Sequence, residues 1–160
     1  MSSPSSFGSL PDPPVELNHH GVVLQFWEMT PANEEKGRVP AYHFRIVASG
    51  IDVGHINVRV GDTTHVRLCA GNIGYKIRPE HRGHGFAALA CMAIAEFVAT
   101  VFKDHDVIIT CDPDNIASIK TIERIGGVFI DEIDVPQHEP EFEQGVIRKR
   151  RYRWPAPLSR

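Results

Sequence analysis

A mixed α/β domain is what this chain predicts, on three observations. Apolar and polar side chains alternate through residues 22–28, Ala41–Ala48 and 53–60, the two-residue period of strands with one face packed. A glycine-containing loop, Arg82-Gly83-His84-Gly85-Phe86-Ala87, lies between a strand-like run at 72–77 and a long apolar helix. A second β-branched run at 107–110 leads through Cys111-Asp112-Pro113-Asp114-Asn115 into another helix, which stops at Gly126-Gly127.

The elements follow in order. Residues 22–28 form a first strand, Ala41–Ala48 a second and 53–60 a third, with Ser49-Gly50-Ile51-Asp52 as the hairpin between the last two. Residues 72–77 form strand four. The helix over 85–101 repeats Phe86, Leu89, Ala90, Ala93, Ile94, Phe97 and Val98 at three- and four-residue spacing, and Ala87, Ala88 and Ala95 let it lie close to a sheet. Strand five is 107–110, a helix spans 115–125, and strands six and seven are 128–133 and 146–153. No internal repeat is visible.

Composition narrows the function classes. The chain has 160 residues, enough for one core, with 42% hydrophobic and 23% charged residues. Its formal net charge of -3 gives no general attraction to polyanions, so nucleic acid is not an expected partner. The basic run Arg148-Lys149-Arg150-Arg151-Tyr152-Arg153 is expected to face the acidic residues that precede it across a hairpin. Cys69, Cys91 and Cys111 are an odd, widely spaced set, which suggests neither a disulfide framework nor a zinc site and fits a reducing cytoplasm. His81 and His84 lack a third ligand, and no metal is expected. Residues 1–20 carry no basic region followed by an apolar one and read as a flexible tail, 21–155 as one domain and 156–160 as a second tail. The apolar stretch Phe86–Phe102 is 17 residues long and contains Glu96, so it reads as a buried helix and no membrane partner is expected.

The chemistry concentrates in the loop. Glycines at 83 and 85 permit a tight turn and close approach of a ligand, while the following helix aims free N–H groups and its dipole at an anion. Arg82 adds a fixed charge with several donors. Gly83-x-Gly85-x-x-Ala88 formally fits a dinucleotide fingerprint, but that fingerprint opens directly off its strand, whereas Arg78-Pro79-Glu80-His81-Arg82 intervenes here. Arg82-x-x-Gly85-x-Ala87 instead matches the R/Q-x-x-G-x-G/A signature, and the segment from Asn72 to Ala87 resembles the strand-loop-helix core of the GNAT superfamily of acyl-CoA N-acyltransferases. The helix opened by Asn115 and ended by Gly126 also resembles that family, in a group of uncharacterised acetyltransferases, and the likeness runs from about Tyr42 to Trp154.

The resemblance implies a mostly antiparallel seven-stranded sheet with strands four and five splayed, and acetyl-CoA as co-substrate. The pantetheine arm would lie in the splay against the backbone of Ile77 and Arg78, with Asn115 and Ser118 opposite. The pyrophosphate would sit on Arg82, Gly83, His84, Gly85, Phe86 and Ala87. An N–H near Ile77 would polarise the thioester carbonyl. Three departures stand out. Only residues 29–40 are available where the family carries two helices between strands one and two. Strand four offers no Glu or His, and the helix position that often carries a thiolate-protonating tyrosine is Ile122. His55 and Tyr152 are the remaining candidates for base and acid, with water able to serve both roles. The short connection leaves the polar face of His43, Arg45, His55, Asn57 and Arg59 without its usual cover, for solvent or a second copy of the chain to fill. The expected acceptor is a small-molecule or peptide amine: amino acid, polyamine, aminoglycoside or protein N-terminus. A catalytically weak acyl-CoA-binding module is the alternative, and turnover with any amine separates the two.

Overall fold

The computed structural model describes residues 7–103 and 105–155, and its strands form two sheets joined at one point. The first runs in the order β1 (Glu16–His19), β2 (Val22–Thr30), β3 (Ala41–Ala48), β4 (Ile51–Arg59), β5 (Ile73–Ile77). The second runs β6 (Ile108–Cys111), β8 (Arg148–Arg153), β7 (Val128–Asp134), and every pairing in both is antiparallel. Helices α1 (Phe86–Phe102) and α2 (Ile116–Arg124) follow β5 and β6, and a single turn, α3 (Pro140–Glu143), precedes β8.

The hairpin turns are two residues long because their backbones carry positive φ at both positions: 44° and 85° at His20-Gly21, 51° and 77° at Ser49-Gly50. Turns of that hand match the twist of the strands they join. The expected hairpin of four residues therefore shortens, and Ile51 and Asp52 enter β4. Alternation then places Leu24, Phe44, Ile46, Ile56 and Val58 in the core, where α1 covers them with Ala90, Cys91, Ile94 and Val98. Phe97 meets Tyr42 edge-on at 4.9 Å. Ala88, Ala90, Ala93 and Ala95 are all buried, as expected of a helix lying close on a sheet.

Two expectations change. Among the described residues there are eight strands in two sheets, and the additional one, β1, lies in the segment expected as a flexible tail. From Phe7 onward that segment is packed: Phe7 meets Phe102 edge-on at 5.7 Å, and the Tyr42 hydroxyl donates to the Pro11 carbonyl at 2.6 Å. A four-residue strand carries too little alternation to be read alone, and its pairing with β2 supplies the rest. Residues 1–6 and 156–160 lie outside the described residues.

The splay is where the sheets part. β5 and β6 are joined beside Asn72, whose N–H donates to the Ile108 carbonyl at 2.6 Å and whose Oδ1 accepts from the Ile108 N–H at 2.8 Å. Beyond it β5 pairs only with β4, and β6 only with β8. The connection from β2 to β3 holds one 3₁₀ turn, Glu34–Lys36, capped by Asn33, in place of two helices. Across the β7–β8 hairpin, Arg151 pairs with Asp131 at 2.8 Å and Arg148 with Glu132 and Asp134 at 2.9 and 2.6 Å, so the basic run is matched as expected.

Candidate functional site

Between the parting strands opens a cleft of about 920 Å³. Gly74, Tyr75 and Lys76 of β5 line one side, Thr110, Cys111, Asp112, Asn115 and Ser118 the other, and His43, His55, Asn57 and Arg59 the floor. The register of β5 decides which backbone groups face it. Arg59 N–H donates to the Asn72 carbonyl and Arg78 N–H to the Val53 carbonyl, which puts even-numbered residues of this strand in the ladder with β4. The N–H groups of Ile73, Tyr75 and Ile77 therefore point away from β4, into the splay. Arg78 takes no part in that row: its N–H is held by Val53, its carbonyl accepts from His81, and its guanidinium pairs with Asp52 at 3.3 Å.

At the far end of β5 the loop turns through Arg82, Gly83 and His84 into α1. Gly83 has φ 86° and Gly85 φ 76°, conformations that a side chain resists. A Cβ on Gly83 would meet nothing within 4 Å, so the loop surface is open there. The first helical bond of α1 runs from Leu89 N–H to the Gly85 carbonyl at 3.1 Å, and Gly85 offers no side-chain cap. The amides of Phe86, Ala87 and Ala88 thus precede the ladder, at the positive end of a 17-residue helix. Arg82 folds back so that Nε donates to the Ile77 carbonyl at 3.0 Å, tying the loop to the strand whose amides face the cleft. His84 lies against Phe86, ring centroids 5.5 Å apart. Sequence reasoning missed Arg124, at the C-terminal end of α2: its Nη1 is 2.9 Å from where a Gly85 Cβ would stand, which brings a second cation to the loop. These residues suit a pyrophosphate, since the glycines leave room and the amides and guanidinium groups supply donors.

Asn115 caps α2, its Oδ1 accepting from Ser118 N–H at 3.1 Å, and it also lines the cleft. The Ser118 hydroxyl meets the Tyr75 hydroxyl at 2.7 Å, a bridge across the splay that joins residues distant in sequence. Burial holds the Tyr75 phenol well above the usual tyrosine range, so it keeps its proton. Ile122 is wholly buried in the core. Tyr152 is also buried, its hydroxyl accepting from Arg150 Nε at 2.9 Å and its ring against Phe129, and it is not among the cleft-lining residues.

On the floor, His43 and His55 stack with centroids 5.6 Å apart and planes 6° from parallel. His43 Nδ1 and His55 Nε2 approach to 3.4 Å, and the Thr30 hydroxyl sits 2.9 Å from His43 Nε2. Burial lowers the pKa of both imidazoles from 6.5; for His55 the His43 and Arg59 charges lower it further while Asp52 opposes, and for His43 Glu28 opposes and Arg59 assists. In an NMR titration of the imidazole resonances, His55 is therefore expected to have a midpoint below 6.5. It should move upward in His43→Ala, because a neighbouring positive charge is removed. A His55 midpoint above 7 contradicts this electrostatic account. On another wall His65 Nδ1 lies 2.6 Å from Glu139 Oε2, with Glu141 close by.

Known proteins resemble this chain in sequence and in fold. The family model described as "Acetyltransferase (GNAT) domain" matches residues 11–128. The uncharacterised N-acetyltransferase YnaD of Bacillus subtilis (strain 168) is 35% identical over 54 residues, a stretch covering 34% of this chain and 32% of that protein. Its matched part is thus about a third of its own length. An acetyltransferase (GNAT family) from Bacillus anthracis is similar in structure over 86% of this chain and 96% of its own, with TM-score 0.59 and 19% identity. RimL, a ribosomal L7/L12 alpha-N-protein acetyltransferase in complex with coenzyme A, is similar over 75% of this chain and 63% of its own, with TM-score 0.55 and 17% identity. At such identities the structural likeness speaks to the fold alone.

Proposed function

Because the chain belongs to the GNAT acetyltransferase family, whose model it matches over residues 11–128, we propose that it transfers acetyl from acetyl-CoA to an amine held in the cleft beside β5. The observation that carries this reading is the divergence of β5 and β6 beyond Asn72, which turns the Tyr75 and Ile77 amides away from β4 into the splay, on a strand whose end Arg82 ties to the Gly83–Gly85 loop.

Acetyl-CoA, when bound, supplies an electrophilic thioester carbonyl. The loop amides of Phe86, Ala87 and Ala88, with Arg82 and Arg124, hold the pyrophosphate, and Asn115 faces the pantetheine arm. An outward N–H of β5, from Tyr75 or Ile77, donates to the thioester carbonyl oxygen and stabilises the negative charge that builds there; a donor fixed in a strand needs no reorganisation to do so. Binding amine and thioester side by side supplies proximity. Transfer forms one C–N bond and breaks one C–S bond; one proton leaves the acceptor ammonium and another passes from the attacking nitrogen to the departing thiolate.

His55, neutral through its lowered pKa, takes the ammonium proton directly or through one water, and His43 stacked upon it offers a second acceptor. Tyr75, which retains its proton and sits in the splay, stands where the sequence offers no helix tyrosine and donates toward the thiolate. Tyr152 keeps a structural role in β8. Because proton removal does not rest on one group, His55→Ala is expected to lower kcat/KM by about tenfold or less, roughly 1.4 kcal/mol of transition-state stabilisation. A thousandfold loss in a folded, CoA-binding variant would make His55 the sole base.

The direct test is thiol release from acetyl-CoA over a panel of primary amines, beside calorimetry for CoA. Turnover with any amine supports the transferase; CoA binding without turnover points to a binding module; absence of CoA binding overturns the reading.

A further inference from the structure

We infer that the acceptor is an α-amino acid, its carboxylate held by Arg59 and its amine donating to the Asn57 carboxamide oxygen on the His55 side of the cleft; this rests on the transferase reading above.

Four observations meet at Gly74. His55, Asn57 and Arg59 alternate along β4, so all three face the cleft. Gly74 pairs directly with Asn57 across the ladder, and a Cβ there would stand 2.8 Å from Asn57 Oδ1 and 2.9 Å from both Arg59 Nη1 and Nη2. The two polar side chains thus converge over a residue without a side chain, next in sequence to Tyr75, whose amide points into the splay.

Neither group is fully satisfied by the protein. Asn57 is 7% exposed and its Oδ1 has no hydrogen-bond partner among the described residues, an arrangement that a folded chain normally avoids. Arg59 is anchored by Nη1, which donates to the Ala70 and Gly71 carbonyls at 3.0 and 3.2 Å, at the end of a short π-helical turn, Val66–Ala70. Its guanidinium is therefore oriented, yet among the described residues it has no carboxylate within the 4.0 Å of an ion pair. Glu141 acts on it only from farther away. A fixed, desolvated guanidinium beside an unpartnered carboxamide oxygen suits an α-amino acid, because its carboxylate accepts from the guanidinium and restores the missing charge while its amine donates to the oxygen.

The rest of the lining agrees. Arg38, Arg59, Lys76 and Lys149 face the cleft against Asp112 and Glu141, and Asp112 is already paired with Lys149 at 2.9 Å. That balance repels a polycation such as a polyamine or an aminoglycoside. It also separates a free amino acid from a peptide N-terminus, whose α-carbonyl is an amide and carries no charge.

The experiment compares acetylation of the twenty α-amino acids with that of their carboxamides, of 1,4-diaminobutane and of an alanine-rich tripeptide amide. It uses the full chain, Arg59→Gln and Arg59→Lys. For the best amino acid, kcat/KM is expected to exceed that of its carboxamide by about 10- to 100-fold, the worth of one charge-assisted contact. Arg59→Gln should bring the pair level, and Arg59→Lys should keep part of the difference. Each ratio is internal to one protein sample, so loss of folded material does not shift it. Carboxamides, the diamine or the peptide reacting as well as the acids, or an undiminished ratio in Arg59→Gln, would overturn the inference. If no amine is acetylated, the transferase reading fails separately, and calorimetry of the amino acids on the CoA-mixed protein decides: binding lost in Arg59→Gln sustains the carboxylate site, and no binding to the unmodified chain removes it.

Discussion

Gly85→Val is expected to weaken CoA binding at least a hundredfold. The valine would have to adopt φ 76°, a region costing an L-residue about 1–2 kcal/mol and worse for a β-branched one. Its branched Cβ would also meet Arg124 Nη1, 2.9 Å from the first carbon, pushing aside a cation that the loop uses. Relaxing either problem rotates the turn, and the amides at the start of α1 no longer converge. Each lost hydrogen bond to a charged phosphate is worth roughly 1.5–3 kcal/mol, so two of them already account for two orders of magnitude. Gly83→Ala separates strain from obstruction, since φ there is 86° but a Cβ meets nothing within 4 Å. It should cost stability with a smaller loss of affinity. Calorimetry on protein shown to be folded measures both, and a Gly85→Val affinity within threefold of the original would remove the pyrophosphate from this loop.

The contrast between those glycines and the cleft floor shows what a sequence can disclose. The loop, the two helices and the strands around them are announced locally, by turn residues and by spacing, so they can be found without knowing what lies opposite. The alternation of His43 and Arg45 with Phe44 and Ile46 likewise marks a polar face. What that face does depends on residues far away in the chain. Tyr75 meets Ser118, Arg59 reaches Ala70 and Gly71, and Arg124 comes over Gly85, each contact created by the crossover of a helix or by the parting of the sheets. Ladder parity also separates Ile77 from Arg78, adjacent residues that the motif treats alike: one amide faces the cleft and the other is spent on Val53. β1 was hidden for a different reason, since four residues derive their stability from β2 and not from their own pattern.

Asn72→Leu is expected to destabilise the protein by about 3–5 kcal/mol, because this buried side chain satisfies three backbone groups where the two sheets join. Its Nδ2 donates to the Arg59 and Gly61 carbonyls, both at 2.9 Å, and its Oδ1 accepts from the Ile108 N–H at 2.8 Å. The residue is 2% exposed, so water cannot replace those partners. Leucine has the same heavy-atom branching but is bulkier, so it leaves no cavity; the cost lies in orphaned backbone groups, at roughly 1–3 kcal/mol each, with crowding adding to it. Against a total stability of about 5–15 kcal/mol, that approaches unfolding. Asn72→Asp keeps the Ile108 acceptor, loses both amide donors and buries a charge, so its deficit should shrink as pH falls and the carboxyl takes a proton able to reach one carbonyl. Urea unfolding of the three proteins gives the free energies, and a Leu variant within about 1 kcal/mol of the original would show that the sheets are held by packing. A loss of the expected size, with CoA affinity weakened in the surviving folded fraction, would identify this side chain as the pin that fixes where β5 and β6 begin to part.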